Sequence, residues 1–372
     1  MIQLYKDNNQ NYDFNGDFIL HPFSASLHIV LNGDWALTLE LPTQDKHYEG
    51  VNEQPVDFIK YGSVISIDYV RDKHQLYVID SIKGTSDTII LTCYPIFMID
   101  SKNTVILDKV HPTNCNGQAA LDSMLRFAKG FKGKSDIDKI STCYFEKMNF
   151  MEALSGSSDN TFLKRWGGEV YYKNMEIFVM KNIGENRGLR VTYGFNMKGM
   201  EVTIDSSEVV TEIRTQGYNG RLGPGVGTSN VFNYRTAFTK FKTYSDIAFK
   251  DDVEEGTNTE NLTIYDTLEE FNNALKERAF EDLRLYANPR CTYDIDMVDL
   301  SVTDKYQEYK DLLYVWIGDI VQVINKPLRI KTEQKVVELT FNCLTMEIET
   351  LVLGSTKIDY FDTFRSRKGG VA

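Results

Sequence analysis

The sequence has no histidine beyond His111. Its five histidines (His21, His28, His47, His74 and His111) form no His-Glu-x-x-His or His-x-x-x-His pair. That removes the local signature of a zinc hydrolase. It also confines any Ser–His or Cys–His nucleophile to the first 111 residues. No Gly-x-Ser-x-Gly elbow and no papain-type cysteine segment occurs there. The five cysteines (Cys93, Cys115, Cys143, Cys291 and Cys343) are odd in number and widely spaced, with no Cys-x-x-Cys. This is the usage of reduced, mostly buried thiols and argues against a disulfide framework. Apolar runs are only a few residues long, far short of the roughly 20 needed to span a bilayer. The start, Met-Ile-Gln-Leu-Tyr-Lys-Asp, lacks the basic and apolar regions of a secretory signal. Positive charge is also scarce: 41 Lys and Arg stand against 53 Asp and Glu, a net charge of −12. Gripping nucleic acid needs clustered cations, so sequence-specific nucleic-acid binding is not expected.

What the sequence has is aromatic, strand-forming character. It contains 21 Tyr and 21 Phe, and 42% of its 372 residues are hydrophobic, enough for two to four packed domains. Residues 36–41 alternate apolar and polar up to Pro42, after an Asn32-Gly33-Asp34 turn signal. Residues 63–69, 75–79 and 88–94 read as further strands, fitting a small antiparallel barrel. Residues 118–129 read as a helix with Asn116 as N-cap and Gly130 as stop. Residues 150–154 and 161–165 suggest a second helix broken by Ser-Gly-Ser-Ser, and 169–181 a hairpin turning at Lys173-Asn174. Residues 217–230, rich in glycine, read as a loop, and the acidic stretch 251–261 as a linker. The clearest helix runs from Thr267 to Tyr286. Thr267 and Glu270 make a capping box, and Leu268, Phe271, Leu275, Ala279, Leu283 and Tyr286 mark one apolar side.

Candidate chemistry is thin. Glycan cleavage needs two carboxylates, one of them in an apolar setting. Glu169, between Trp166-Gly167-Gly168 and Val170-Tyr171-Tyr172, is the one acid worth inspecting; the plainer reading is a polar residue starting a strand. Gly223-Pro224-Gly225-Val226-Gly227 lacks the Lys-Ser/Thr of a P-loop. Asp251, Asp252, Glu254 and Glu255 miss the EF-hand spacing. Tyr144, Trp166, Tyr171, Tyr172 and Phe178 could form a sugar platform, but aromatics in strands usually belong to the core. No catalytic, cofactor-binding or metal-binding residue is assigned, and no cofactor is expected.

A weak internal repeat stands out. Residues 61–67 (Tyr-Gly-Ser-Val-Ile-Ser-Ile) resemble 317–323 (Ile-Gly-Asp-Ile-Val-Gln-Val). Residues 89–94 (Ile-Ile-Leu-Thr-Cys-Tyr) resemble 337–342 (Val-Glu-Leu-Thr-Phe-Asn), in the same order. This predicts two related β-domains, the second divided by a helical insertion.

A run of motifs then suggests a family. Trp166-Gly167-Gly168-Glu169 leads into the hairpin 170–180 and Asn186-Arg187-Gly188. There follow Val191-Thr192-Tyr193-Gly194-Phe195-Asn196-Met197, Met200-Glu201-Val202 and the segment 209–220. With 32–42 and 59–65 at the start, this order resembles the prophage tail endopeptidase, or Tal, family of siphophages infecting Gram-positive bacteria. The resemblance implies a mainly β fold with α/β insertions, similar to the baseplate hub of contractile tails and built on two related antiparallel β-barrels. The expected division is 1–105 first barrel, 106–195 α/β insertion, 196–245 with 290–353 second barrel, 246–289 helical insertion and 354–372 C-terminal tail. It implies a non-enzymatic homotrimer at the virion tail tip, its six barrels ringing a channel for DNA and the tape-measure protein. The implied partners are the distal tail protein, the tail tube and receptor-binding or tip proteins, without stable membrane insertion. Lytic activity in longer members resembles that of separate C-terminal domains, so no catalytic residue carries over. The rival readings are a peptidoglycan-degrading tail lysin and a carbohydrate-binding host-recognition protein.

Overall fold

A computed structural model describes residues 1–354 except 7, 8, 10, 70, 159, 229–233, 258, 260, 261, 288 and 310–312. The expected C-terminal tail lies, beyond Gly354, outside the described residues. The fold is mainly β, with 41% strand and 20% helix, and its main sheet curls as a half-barrel. The chain divides into two compact units, 1–201 with 293–372, and 202–292.

The first unit is organised by a thirteen-stranded sheet containing two five-strand modules. The first module comprises β1 (Ser24–Val30), β2 (Trp35–Pro42), β3 (Val64–Ile67), β4 (Gln75–Gly84) and β5 (Thr88–Pro95). The second comprises β6 (Met197–Asp205), β7 (Arg290–Met297), β8 (Ile320–Asn325), β9 (Ile330–Asn342) and β10 (Glu347–Gly354). The spatial order is β1-β2-β5-β4-β3 in one and β6-β7-β10-β9-β8 in the other, the same topology twice. Short 3-10 turns bridge the second and third strands of both, Lys46–Tyr48 and Pro55–Phe58 in one, Leu300–Val302 and Asp304–Tyr309 in the other.

The match extends to single hydrogen bonds. Gly62 N–H donates to Ile79 O and Ile79 N–H to Ser63 O, at 2.9 Å each; Gly318 N–H donates to Val336 O (2.9 Å) and Val336 N–H to Asp319 O (2.8 Å). Both glycines take positive φ, 86° and 84°, a conformation that costs a β-carbon dearly. Both long strands then carry a one-residue irregularity at the same place, between Ile79 and Ser81 and between Val336 and Glu338. The resemblance of 61–67 to 317–323 is therefore structural. The one drawn between 89–94 and 337–342 is not: β5 corresponds to β10, whereas 337–342 lie in β9, the counterpart of β4.

The two modules join through β9 and β1, with Glu338 opposite Val30 and Asn342 opposite Ser26. Strand alternation places one apolar row across the junction. Phe341, Leu27, Leu37, Cys93 and Ile79 are cross-strand neighbours, and every one is fully buried. Burying one such side chain contributes about 1.5–3 kcal/mol. A one-residue slip would turn the whole row to the opposite face, so the register is strongly specified.

Residues 106–190 add the expected α/β elements to this unit. The helix Gly117–Leu125 is capped by Asn116, whose side chain accepts from Ala119 N–H, and it ends before the predicted Gly130. Phe150–Ser155 and Phe162–Arg165 are two separate short helices. Glu169–Lys173 and Glu176–Met180 form the predicted hairpin, with Asn174 at φ 48° in its turn.

The second unit packs the helix Leu268–Tyr286 on a three-stranded sheet of Glu212–Gln216, Leu222–Gly227 and Thr239–Thr243. Thr267 caps it through the predicted box with Glu270. Phe271, Leu275, Ala279 and Leu283 form its buried side. Two sequence readings change here. Residues 222–227 form a strand despite their glycines, paired with 212–216. The acidic stretch 251–261 lies inside this unit, where Arg221 grips Asp252 through two nitrogens, rather than linking two units.

Candidate functional site

The feature that distinguishes this fold is the second face of the main sheet. Directly behind the apolar row, alternation places Asn342, Ser26, Thr38, Thr92 and Ser81 as cross-strand neighbours over five strands and both modules. All five are part-exposed. A second row runs Ser24, Glu40, Ile90 and Lys83, and a third Thr350, Thr340 and His28. A sheet with one face on a core and the other hydrated alternates in this way.

The hydrated face is rich in carboxylates. Glu338 pairs with His28. Asp294 and Asp296 alternate with buried Ile295 and Met297 on β7. Burial raises the Asp294 carboxyl above its usual range, and the neighbouring charges of Asp296, Glu338 and Glu201 raise it further. A carboxyl raised in the folded state binds its proton more tightly there, so its ionisation near neutrality destabilises the fold. Asp294→Asn is therefore expected to raise the melting temperature at pH 7 and to have no stabilising effect once the pH falls below the carboxylate range, as read by scanning calorimetry at the two pH values.

Glu169 has a structural task. It is 6% exposed; one oxygen binds Lys335 and the other accepts from Ile183 N–H at 3.0 Å. Lys335 also donates to Asn182 Oδ1 at 3.0 Å. One carboxylate oxygen thus ties the hairpin 169–180 to β9, and the other closes onto the backbone that follows the hairpin. The aromatic set is largely core. Trp166, Tyr171 and Tyr172 are at most 5% exposed, and the Trp166 indole N–H donates to Cys115 O at 2.9 Å. Such rings present no platform for a sugar. All five cysteines are free, with Cys93, Cys143 and Cys343 buried. Burial pushes the Cys343 thiol up to about 12, which leaves it protonated and inert.

The structure also joins three residues that spacing kept apart. His21, Asp45 and His47 place one ligand atom each within 4.8 Å of the other two. Asp45 and His47 sit two residues apart on one turn, but His21 comes from a separate strand end. Only the pair Asp45-x-His47 was visible locally.

Residues 185–363 match the model of the family described as prophage endopeptidase tail. No curated protein sequence matches the chain. Among solved structures, the prophage tail protein gp18 from Listeria monocytogenes EGD-e is similar over 99% of this chain and 98% of its own, at 13% identity and a TM-score of 0.61. The 43 kDa tail protein of prophage MuSo2 from Shewanella oneidensis matches over 96% of both chains, at 10% identity and a TM-score of 0.59. A tail protein from Neisseria meningitidis MC58 covers 97% of this chain and 98% of its own, at 10% identity and a TM-score of 0.53. At such identities these likenesses speak for the fold. The chain thus has the fold of prophage tail proteins over essentially its whole length, and across residues 185–363 it carries the sequence pattern of the prophage endopeptidase tail family.

Proposed function

We propose that this protein is a structural, non-enzymatic part of a phage tail tip, whose copies close into a ring around a channel for DNA. The observation that carries this reading is the repeated module and its single internal junction. Within one chain, the second half of β9 (Glu338–Asn342) lies beside β1. By the repeat, β4 is the counterpart of β9, and β6 of β1. Among the described residues, Ser81–Gly84 of β4 have a strand only on the β5 side, and β6 ends the sheet. The chain therefore holds one copy of a junction formed and the two halves of another left open. An open edge is an aggregation hazard unless something covers it. Pairing β6 of one copy with β4 of the next covers both edges and repeats the internal contact head to tail, which closes a ring when the rotation from copy to copy divides a full turn. Three copies would supply six modules, matching the sixfold symmetry that the resemblance implies for the tail tube.

In such a ring the hydroxyl- and carboxylate-bearing face is the natural lining. A net-acidic wall repels the phosphate backbone and lets DNA slide without being gripped. The distal tail protein, tape-measure protein and receptor-binding or tip proteins are the expected neighbours. The non-enzymatic reading is supported by Glu169, whose two oxygens are both engaged.

The test is solution mass by light scattering over a concentration series, with negative-stain imaging, on the wild type and Ile82→Pro. Thr85 N–H bonds to Thr88 O, so alternation turns the Ile82 N–H toward the open edge. Proline there removes an edge donor and leaves the β4–β5 ladder intact. A trimer with a central opening that Ile82→Pro reduces to monomer is the expected result. A wild type that stays monomeric throughout, or a trimer indifferent to Ile82→Pro, overturns the proposed ring.

A further inference from the structure

We infer that His21, Asp45 and His47 form a binding site for a divalent transition-metal ion, zinc by its chemistry, outside the polar sheet face. The geometry carries the inference. His21 Nδ1 and His47 Nδ1 each lie 2.8 Å from a different oxygen of the same Asp45 carboxylate. The two imidazoles stack, with centroids 3.8 Å apart and planes 22° from parallel. Both Nδ1 atoms therefore point to one side of the ring pair, at one carboxylate. Two imidazole nitrogens and a carboxylate oxygen, converging from a local pair and a remote third residue, are a zinc-type donor set with a fourth position open to water.

The donors are positioned without a metal. Asp45 caps the turn Lys46–Tyr48, accepting from His47 N–H at 2.9 Å. Tyr48, the last residue of that turn, clamps it to the strand that leads to His21: its hydroxyl accepts from Ile19 N–H at 2.9 Å and donates to Ile19 O at 3.0 Å. The Tyr48 ring also lies against Phe18 and His21. The imidazoles need only hold their remaining proton on Nε2 to offer Nδ1 to a cation. Asp45 is mostly shielded at 10% side-chain exposure, whereas His47 at 66% leaves an entry route. An ion here would tie the excursion between β2 and β3 to the strand Phe18–Ile19.

The alternative is a hydrogen-bonded staple that needs no metal. The two are separated by titrating the chelator-treated full chain with zinc chloride in a calorimeter, and with cobalt chloride in a spectrophotometer. The expected result is one ion per chain and visible Co(II) bands of the intensity a low-coordinate N/O site gives. Affinity is expected to drop about tenfold or more in His21→Ala and in His47→Ala, and to stay within error in His28→Gln, a histidine outside the cluster. Zinc should also raise the melting temperature of the wild type and not that of His47→Ala, since an ion bound only by the folded state stabilises it. Substoichiometric binding, or equal affinity in the wild type and both alanine variants, overturns the site. None of these readouts depends on ring formation.

Discussion

Replacing Trp316 by alanine is expected to destabilise the protein by about 3–5 kcal/mol, the usual cost of deleting a large aromatic from a packed core. Trp316 is fully buried. It stacks on Tyr69 at 5.2 Å, lies against Tyr314 at 6.0 Å and meets the Phe341 edge at 5.5 Å. It therefore packs between the segment that follows β3 in the first module and β9 in the second. Total stabilities run to about 5–15 kcal/mol, so this loss is a large fraction of the whole. The melting temperature should fall by about 5–10 °C. Trp316→Phe supplies the control. Among the described residues the Trp316 indole N–H has no hydrogen-bond partner, and an unpaired buried donor is itself unfavourable. Phenylalanine removes that donor while keeping most of the ring, so it should cost well under half as much as alanine. A phenylalanine variant as unstable as the alanine variant would mean that the indole N–H does useful bonding.

The second large effect is expected at Gly184, where two backbones pass at closest approach. A β-carbon on Gly184 would collide with the backbone of Gly318 and Asp319. The neighbours leave no slack. Asp319 Oδ1 accepts from Glu185 N–H at 2.8 Å, Asp319 Oδ2 accepts from Arg187 Nη1 at 2.6 Å, and Ile320 N–H donates to Glu185 O at 3.0 Å. Gly184→Ala must push this lattice apart, at a cost of about 3 kcal/mol. Gly62→Ala is the matched comparison. Gly62 is the counterpart of Gly318 and has the same positive φ, but an added β-carbon there meets nothing within 4 Å. It should cost only the conformational penalty, about 1 kcal/mol. Chemical denaturation of the two variants side by side measures the difference. Equal losses would mean that the approach of 184 to 318 relaxes at no cost.

Local signals were legible in the sequence and long-range register was not. The capping box at Thr267, the cap at Asn116 and the turns at Asn32 and Asn174 are set by residues within four positions of one another. Reading them needs no knowledge of the fold. The strand 222–227 gives no strand signal because its residues are mostly glycine and proline, so it carries no alternation to detect. The counterpart of 89–94 is hidden for a different reason. Period-two alternation is unchanged when one strand slides two residues along another, or when a neighbouring strand of the same module is substituted. The equivalence of β4 with β9 becomes decisive only through the irregularities at Asp80 and Val337. The His21–Asp45–His47 cluster was equally hidden, because its closure depends on Tyr48 reaching Ile19. Of the site itself, the polar alternation of single strands could be read, but not that five strands align it into one continuous face.

The two modules share a topology but not a connection between their first two strands. In the first, the turn Leu31 to Asp34 joins β1 to β2; in the second, the whole segment from Ser206 to Pro289 intervenes between β6 and β7. Loop closure becomes costlier by about 0.6 kcal/mol for each doubling of length. The second hairpin therefore starts at a disadvantage of roughly 2.5 kcal/mol unless the intervening unit has already collapsed. Equivalent architecture thus implies unequal kinetics. As the nascent chain emerges, the N-terminal module can condense from neighbouring residues and then present β1 as a ready template for β9. The C-terminal module must wait for distant partners, a slower search that is typical of high contact order.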